Sequence, residues 1–166
     1  MTQSEDTKIV TFKSRRSTNA ISLIPTIAPK VGPLGLSPRA VAQTVRENTA
    51  EWNGIKVQVK LTINTTRRKV EHVEAIPFTS SYIIQSLKEP IEQERMITHN
   101  GNVTLYDVIE IARQTRHKSR SKTLSGRVLE VLGTCLSVGC TVEGECPRNV
   151  QEQIRTGVLA GMIPEK

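Results

Sequence analysis

The stretch of sequence that decides the fold of the N-terminal half is Ile55-Lys56-Val57-Gln58-Val59-Lys60-Leu61-Thr62-Ile63. Apolar side chains at every odd position alternate with polar or basic ones at every even position. This period of two is typical of a β-strand with one buried face. A turn at 64–66 and a returning strand at 67–76 predict a hairpin. We therefore expect a small antiparallel sheet in this half of the chain.

Upstream of the hairpin, the sequence predicts a short strand, a loop and a helix. Residues 10–13 are the candidate strand. Residues 15–36 are expected to form an extended loop, because proline fixes φ and lacks the N–H donor that a helix needs. The prolines in question are Pro25, Pro29 and Pro33. Ser37 then stands at an N-cap position before Pro38, which predicts a helix to about residue 48.

Downstream of the hairpin, Thr79 or Ser80 is expected to cap a short helix. Its apolar side chains are predicted to face the sheet, and they are Ile83, Ile84 and Leu87. Residues 89–96 are charged and interrupted by a proline, as is typical of a linker. The predicted organisation is thus a two-layer α/β domain at 1–88, a linker at 89–96 and a second domain at 97–166, an α+β protein overall.

The second domain is predicted to be all-α with three helices. Thr104 and Asp107 resemble a capping box, and the apolar residues that follow have the spacing of an amphipathic helix. A second helix is expected over 124–136, and a third is expected to begin at Pro147 and to end at Gly157. A compact unit of three helices has the general build of helix-turn-helix nucleic-acid binders.

The charge of the chain points to an anionic partner. Its 166 residues include 23 Lys and Arg against 16 Asp and Glu, for a net charge of +7. Between Ile111 and Val128 there are basic residues and no acidic residue. Such a run is suited to the RNA backbone, because each neutralised phosphate releases counterions. A solvated helix and loop is the alternative. The basic residues are Arg113, Arg116, Lys118, Arg120, Lys122 and Arg127.

A second candidate for nucleic-acid contact is the segment 133–139. Glycine at both ends lets another backbone come close, and the hydroxyls of Thr134 and Ser137 are suited to phosphate or ribose. The alternative is a glycine C-cap and a turn after the second helix. Only five residues of the chain are aromatic, which argues against binding by base-stacking platforms.

Signatures of other protein classes are missing from the sequence. We find no P-loop, dinucleotide fingerprint, metalloprotease motif or zinc spacing, so we expect neither an enzyme nor a cofactor nor a metal site. The first residues lack the apolar core of a signal peptide, and no apolar run reaches membrane-spanning length, so we expect no membrane association. Three cysteines without a C-x-x-C spacing suggest free thiols in a reducing compartment.

Several motifs together resemble the L-eleven family of ribosomal proteins, the large-subunit stalk-base proteins, over residues 9–158. Their order along the chain is that of the family, and the Leu-Ser-Pro and Arg-His-Lys forms resemble its eukaryotic cytosolic branch. The motifs are APKVGPLGLSP at 28–38, VKLTI at 59–63, LKEP at 87–90, NGNVT at 100–104, IARQ at 111–114, RHK at 116–118 and GTxxSVGC at 133–140.

The resemblance implies a structural constituent of the large ribosomal subunit, with no catalysis and no cofactor. The C-terminal domain is expected to bind large-subunit rRNA at the GTPase-associated centre, and the N-terminal domain to meet translational GTPases and acidic stalk proteins, on cytoplasmic ribosomes. Pro29 and Pro33 are the expected factor-facing residues. The expected RNA-binding residues are Asn102, Thr104, Arg113, Arg116, Lys118, Gly133, Thr134, Ser137, Val138 and Gly139.

Two alternatives stay open at this point. A free-standing helix-turn-helix DNA-binding regulator would share the three helices and the positive charge, although such a reader presents Arg, Asn or Gln to base edges. Ser37, which precedes a proline, is both a helix N-cap and a candidate phosphorylation site. A phosphate at a helix N-terminus is electrostatically tolerated.

Overall fold

The alternating stretch forms the central strand of a three-stranded antiparallel sheet. The strands are β1 (Thr7–Arg15), β2 (Lys56–Asn64) and β3 (Lys69–Pro77), in the order β1-β2-β3. Every second side chain of β2 from Val57 to Ile63 is buried. The predicted hairpin is therefore confirmed, with a four-residue turn at 65–68 in which Arg68 has a φ of 48°.

The structure, a computed structural model, describes residues 7–15, 23–52, 54–89 and 99–164. It divides into two compact units, one up to Phe78 and one from Thr79 onwards. The first unit holds the sheet with two α-helices among its described residues, and the second holds four α-helices with a short parallel strand pair. Residues 16–22 of the predicted loop and 90–96 of the predicted linker lie outside the described residues.

The prediction of an extended loop was wrong for residues 24–34. These residues form α1 (Ile24–Val31) and one 3₁₀ turn. Pro25 lies in the first turn, where no N–H partner is required, and Pro29 forfeits one bond near the end of the helix. Burial of Ile27 and Val31, one turn apart, offsets that loss. The next helix, α2 (Pro38–Asn48), is confirmed.

The short helix after the hairpin, α3 (Thr79–Leu87), belongs to the second unit. Its residue Ile83 is fully buried in the core of that unit, whereas the sequence had predicted that it would pack on the sheet. An amphipathic helix has one apolar face, and the pattern alone does not say which of two cores covers it. The boundary expected near residue 88 therefore lies before α3 in the structure.

The second unit is built around α5 (Leu124–Val138), with α4 (Leu105–Gln114) and α6 (Pro147–Arg155) packed against it. The expectation of an all-α domain of three helices was wrong. The strand β4 (Asn102–Val103) pairs in parallel with β5 (Thr141–Val142), and α3 adds a fourth helix. Two strands of two residues each are too short to produce an alternating pattern, so nothing in the sequence announced them.

Local capping follows the sequence closely in this unit. The Thr104 hydroxyl accepts from Asp107 N at 3.1 Å, as the capping-box pattern predicted. The α6 helix ends at Arg155, two residues before the expected Gly157, which follows the C-cap Thr156 with a φ of +84°. Thr123 caps α5 in the same way as Thr104 caps α4, by accepting from Gly126 N at 3.2 Å.

Candidate nucleic-acid interface

The glycine-bounded segment 133–139 is helical and does not form a turn. Residues 133–138 are the last turns of α5, which runs beyond its predicted end at residue 136. Gly139 is the C-cap, and its N–H donates to Cys135 O at 3.0 Å. The interpretation of the second glycine as a cap is therefore confirmed, whereas the first glycine lies inside the helix.

The two glycines differ in what the protein itself requires. Gly139 has a φ of +96°, and a Cβ there would lie 3.2 Å from the backbone oxygen of His99. Gly133 lies in regular helix, and a Cβ there would meet only Gln151 Nε2, at the ordinary contact distance of 3.8 Å. A glycine inside a helix costs about 0.5–1 kcal/mol relative to alanine. Intramolecular packing thus explains Gly139 and leaves Gly133 unexplained.

The hydroxyl groups between the glycines donate to the helix itself. Thr134 Oγ1 donates to Glu130 O at 3.2 Å, and Ser137 Oγ donates to Thr134 O at 2.7 Å. Each oxygen keeps free lone pairs, so it is able to accept from an outside donor. The ribose 2′-hydroxyl is such a donor, and DNA lacks it.

The outward face of α5 around Gly133 carries small residues together with Glu130 and with Leu136, which is 38% exposed. Glu130, Gly133 and Ser137 are exposed at helical spacing, while Thr134 and Val138 are half-buried beside them. The opposite face is held in the core by fully or nearly fully buried residues, which are Val128, Val131, Leu132 and Cys135. The helix is therefore anchored by its buried face, and the lack of a side chain at the exposed Gly133 leaves its backbone open to close approach by another backbone.

The basic run of the sequence divides into exposed and buried members. Arg116, Lys118, Arg120 and Lys122 are exposed on the 3₁₀ turn and loop between α4 and α5. Arg113, with 48% of its side chain exposed, forms a 3.4 Å ion pair with Glu110. Arg127 has only 8% exposure. Of the six basic residues that the sequence placed in one run, Arg127 is therefore the one that is buried.

A cleft of about 190 Å³ joins the basic turn to the outward face of α5. Lys118 and Ser119 line one side, and Glu130, Val131 and Thr134 line the other. Desolvation by burial lowers the pKa of the Lys118 ammonium. Lys118 and Thr134, 16 positions apart in the sequence, thus share one recess of the surface.

Asn102 and Thr104 both have structural roles: Asn102 lies near the C-terminal end of α5, and Thr104 caps α4. Asn102 Oδ1 accepts from Gly144 N at 2.8 Å and from Thr141 Oγ1 at 3.1 Å. The pairing of β4 with β5 brings Asn102 near the end of α5, where Thr141 N donates to Gly101 O at 3.0 Å. Sequence reasoning missed this junction, because its partners are about 40 residues apart and short polar residues in turns are common.

A second surface lies on the first unit and includes the residues expected to face translation factors. Pro29 and Pro33 are both exposed, the first in α1 and the second in the 3₁₀ turn. Gly35, with a φ of +70°, leads from that turn to Ser37. Ser37 occupies the predicted N-cap position of α2 and is exposed, but its hydroxyl makes no capping hydrogen bond.

Comparisons with known proteins match both units. Residues 20–68 match the family model for the ribosomal protein L11 N-terminal domain, and residues 75–142 match that for the L11 RNA-binding domain. The large ribosomal subunit protein uL11A of Schizosaccharomyces pombe is 46% identical over 144 residues, covering 85% of this chain and 84% of its own. The chain belongs to the ribosomal protein L11 family.

Other members of the L11 family match over nearly the whole chain. The protein uL11z of Arabidopsis thaliana is 42% identical over 166 residues, covering 97% of this chain and 96% of its own. The protein uL11 of Neurospora crassa is 42% identical over 164 residues, with 97% and 95% covered. The resemblance seen in the motifs is thereby confirmed.

Membership of the L11 family confirms that the chain is a ribosomal, rRNA-binding protein and not an enzyme. The comparisons give no support to a DNA-binding regulator. The RNA-binding model spans 75–142 and includes all ten expected RNA-binding residues, from Asn102 to Gly139. Among the described residues, no helix is long and apolar enough to cross a membrane, and no cluster suited to a metal ion is found.

Proposed function

We propose that the second unit binds a folded segment of large-subunit rRNA at the stalk base, the GTPase-associated centre, and that the outward face of α5 lies against the RNA backbone. The observation that carries this proposal is Gly133, which pays a helix-propensity cost that no contact within the protein explains. Contact with the backbone of a bound ligand is a sufficient reason for glycine at this position, because glycine has no side chain to hold another backbone away from the helix.

The groups around Gly133 suit RNA. Thr134 and Ser137 offer oxygens to 2′-hydroxyls, and Val138 adds an apolar edge beside them. Exposed cations on the turn after α4, with Arg113 at the end of that helix, supply the attraction to phosphates. Asn102 and Thr104 contribute near the C-terminal end of α5, where the pairing of β4 with β5 places Asn102 opposite Thr141, two residues after Gly139.

The test is binding of the full chain to a transcript of the GTPase-associated centre, with a DNA duplex of the same sequence as competitor. We expect tight binding to the RNA that weakens steadily as salt rises, and no competition by the DNA. Co-sedimentation with large ribosomal particles at moderate salt is the matching test in an extract. Preference for duplex DNA, or absence from those particles, would contradict the proposal.

For the first unit, we propose contact with translational GTPases and the acidic stalk proteins, with Pro29 and Pro33 on the contacted surface and the protein on cytoplasmic ribosomes. Both prolines are exposed and conformationally fixed, so they bind with little loss of entropy. Ribosomes carrying Pro33→Ala should show slower factor-dependent GTP hydrolysis and unchanged rRNA affinity. Gln43→Ala, at another exposed position of the same unit on α2, is the control.

The same surface includes Ser37, which we propose as a phosphorylation site. The hydroxyl is exposed and free of a capping bond, so a phosphate would add charge at the start of α2 without removing a hydrogen bond. Ser37→Asp should therefore leave the melting temperature unchanged or raise it slightly, and it should alter the rate of factor-dependent GTP hydrolysis. Equal rates in Ser37→Asp and Ser37→Ala ribosomes would contradict a regulatory role.

A further inference from the structure

Arg127, in the second unit, is a buried cation for which no partner is found among the described residues. It lies in the second turn of α5, and 8% of its surface is exposed. Its Nε is enclosed and makes no hydrogen bond, and among the residues that the structure describes no ion pair to its guanidinium is found. Buried charges in proteins are normally paired, because desolvation of an unpaired charge is costly.

No acidic side chain near Arg127 along the helix fills this role. Glu130 is three residues further on, at a spacing that permits an ion pair, yet its exposed carboxylate lies beyond 4 Å of the guanidinium. The residues that precede the helix add only positive charge, from the exposed Arg120 and Lys122. No ion pair among the described residues includes Arg127, so an anion from outside the protein is left to balance its charge.

The geometry leaves such an anion a way in. Nε is the only atom of Arg127 that is both enclosed and unpartnered, so the two terminal nitrogens keep contact with solvent. A guanidinium whose stem is packed and whose end is open has already lost its conformational freedom before binding. Two terminal N–H groups in one plane match the oxygens of a phosphate, to which arginine donates two parallel hydrogen bonds.

We propose that Arg127 binds a backbone phosphate of the rRNA and is the preorganised phosphate ligand of this interface. The inference rests on the proposed function, because it takes the RNA as the source of the anion. It also separates Arg127 from the other cations of the basic run. Those are exposed and act mainly through long-range attraction, whereas Arg127 supplies one directed contact next to the first turn of α5.

The test compares full-length Arg127→Met and Arg127→Lys with the exposed-site control Arg120→Ala. Arg127→Met keeps an unbranched stem and removes the charge, so its melting temperature should equal or exceed that of the wild type. Its affinity for the rRNA fragment should nevertheless fall at least about tenfold. Arg127→Lys should lose most of the same affinity, because an ammonium does not donate in the planar pair. Arg120→Ala should lose about threefold or less, and its salt slope should decrease.

A second measurement identifies the phosphate. RNA fragments that carry a single neutral methylphosphonate linkage are titrated against the wild type and Arg127→Met. At one linkage the two losses should not add, because the same contact is removed twice. Additive losses at every linkage, or wild-type affinity in a folded Arg127→Met variant, would overturn the inference. Failure of the wild-type protein to bind the unmodified RNA would instead overturn the proposed function.

Discussion

Replacement of Gly133 by alanine should stabilise the protein and weaken its binding to RNA. In the structure, the new Cβ would lie 3.8 Å from Gln151 Nε2 and would touch nothing else within 4 Å, and the backbone is helical. Gly→Ala in a helix interior contributes about 0.5–1 kcal/mol. For a unit of this size, that corresponds to a rise in melting temperature of roughly 2–8 °C.

The effect on binding has the opposite sign. If the RNA backbone lies against α5 at Gly133, the methyl group must push the two surfaces apart and separate a set of packed contacts. A loss of about 1.4 kcal/mol, or tenfold in affinity, is the least that we expect. Gly133→Val should lose more, with a melting temperature near that of the wild type, because valine and glycine differ little in helix propensity.

The assay pairs a thermal melt followed by circular dichroism with equilibrium binding of the rRNA fragment at one fixed salt concentration. Gly161→Ala is the control for an added methyl group outside the proposed interface, since a Cβ at Gly161, in a 3₁₀ turn, meets nothing within 4 Å. Gly139 is unsuited to this test, because its positive φ makes any substitution destabilising. A Gly133→Ala protein that melts higher and binds RNA as tightly as the wild type would refute close contact at this helix.

Three further predictions concern the second unit. Residues 79–166 alone should fold and bind the rRNA fragment. The shorter fragment 97–166 should be less stable by about 2–5 kcal/mol, because it lacks α3 and its fully buried isoleucine. Equal melting temperatures of the two fragments would contradict the place of α3 in this core. Lys122→Ala should reduce the steepness with which log affinity falls with log salt by about 0.7–0.9, and it should otherwise cost little affinity. An unchanged slope would show that this lysine does not contact the RNA. Cys146 is exposed and should react with a thiol reagent at mildly alkaline pH. Cys135 and Cys140 should react only after unfolding, because burial raises the pKa of both thiols and keeps them protonated. Rapid reaction of more than one thiol per native protein molecule would contradict the burial of these two.

Much of the local structure is encoded in short patterns. Alternation over 55–63 predicted β2, because an amino-acid period of two places every second side chain on one face of a strand. The pair Thr104 and Asp107 predicted the start of α4, because both partners of that cap lie within four residues. The family motifs likewise depend on residues close together in sequence, and the comparisons confirmed them.

Other features depend on groups that are distant in sequence. Proline counted against a helix at 24–31, but burial of Ile27 and Val31 outweighs one lost hydrogen bond. The apolar face of α3 was visible in the sequence, and the core that covers it was not. In both cases, the deciding free energy comes from apolar area buried against residues of other elements, which a local pattern does not contain.

The sequence by itself determined the central strand, the capped helices of the second unit, the positive charge and the family. Only the tertiary structure decided that a Cβ at Gly133 would make a single ordinary contact, with Gln151, and that Arg127 is enclosed without a partner among the described residues. The physical reason is that propensity, capping and charge are properties of neighbouring residues. Enclosure, by contrast, is produced by the whole unit folding around a side chain, so a basic residue that looks solvated in the sequence becomes a buried cation in the fold.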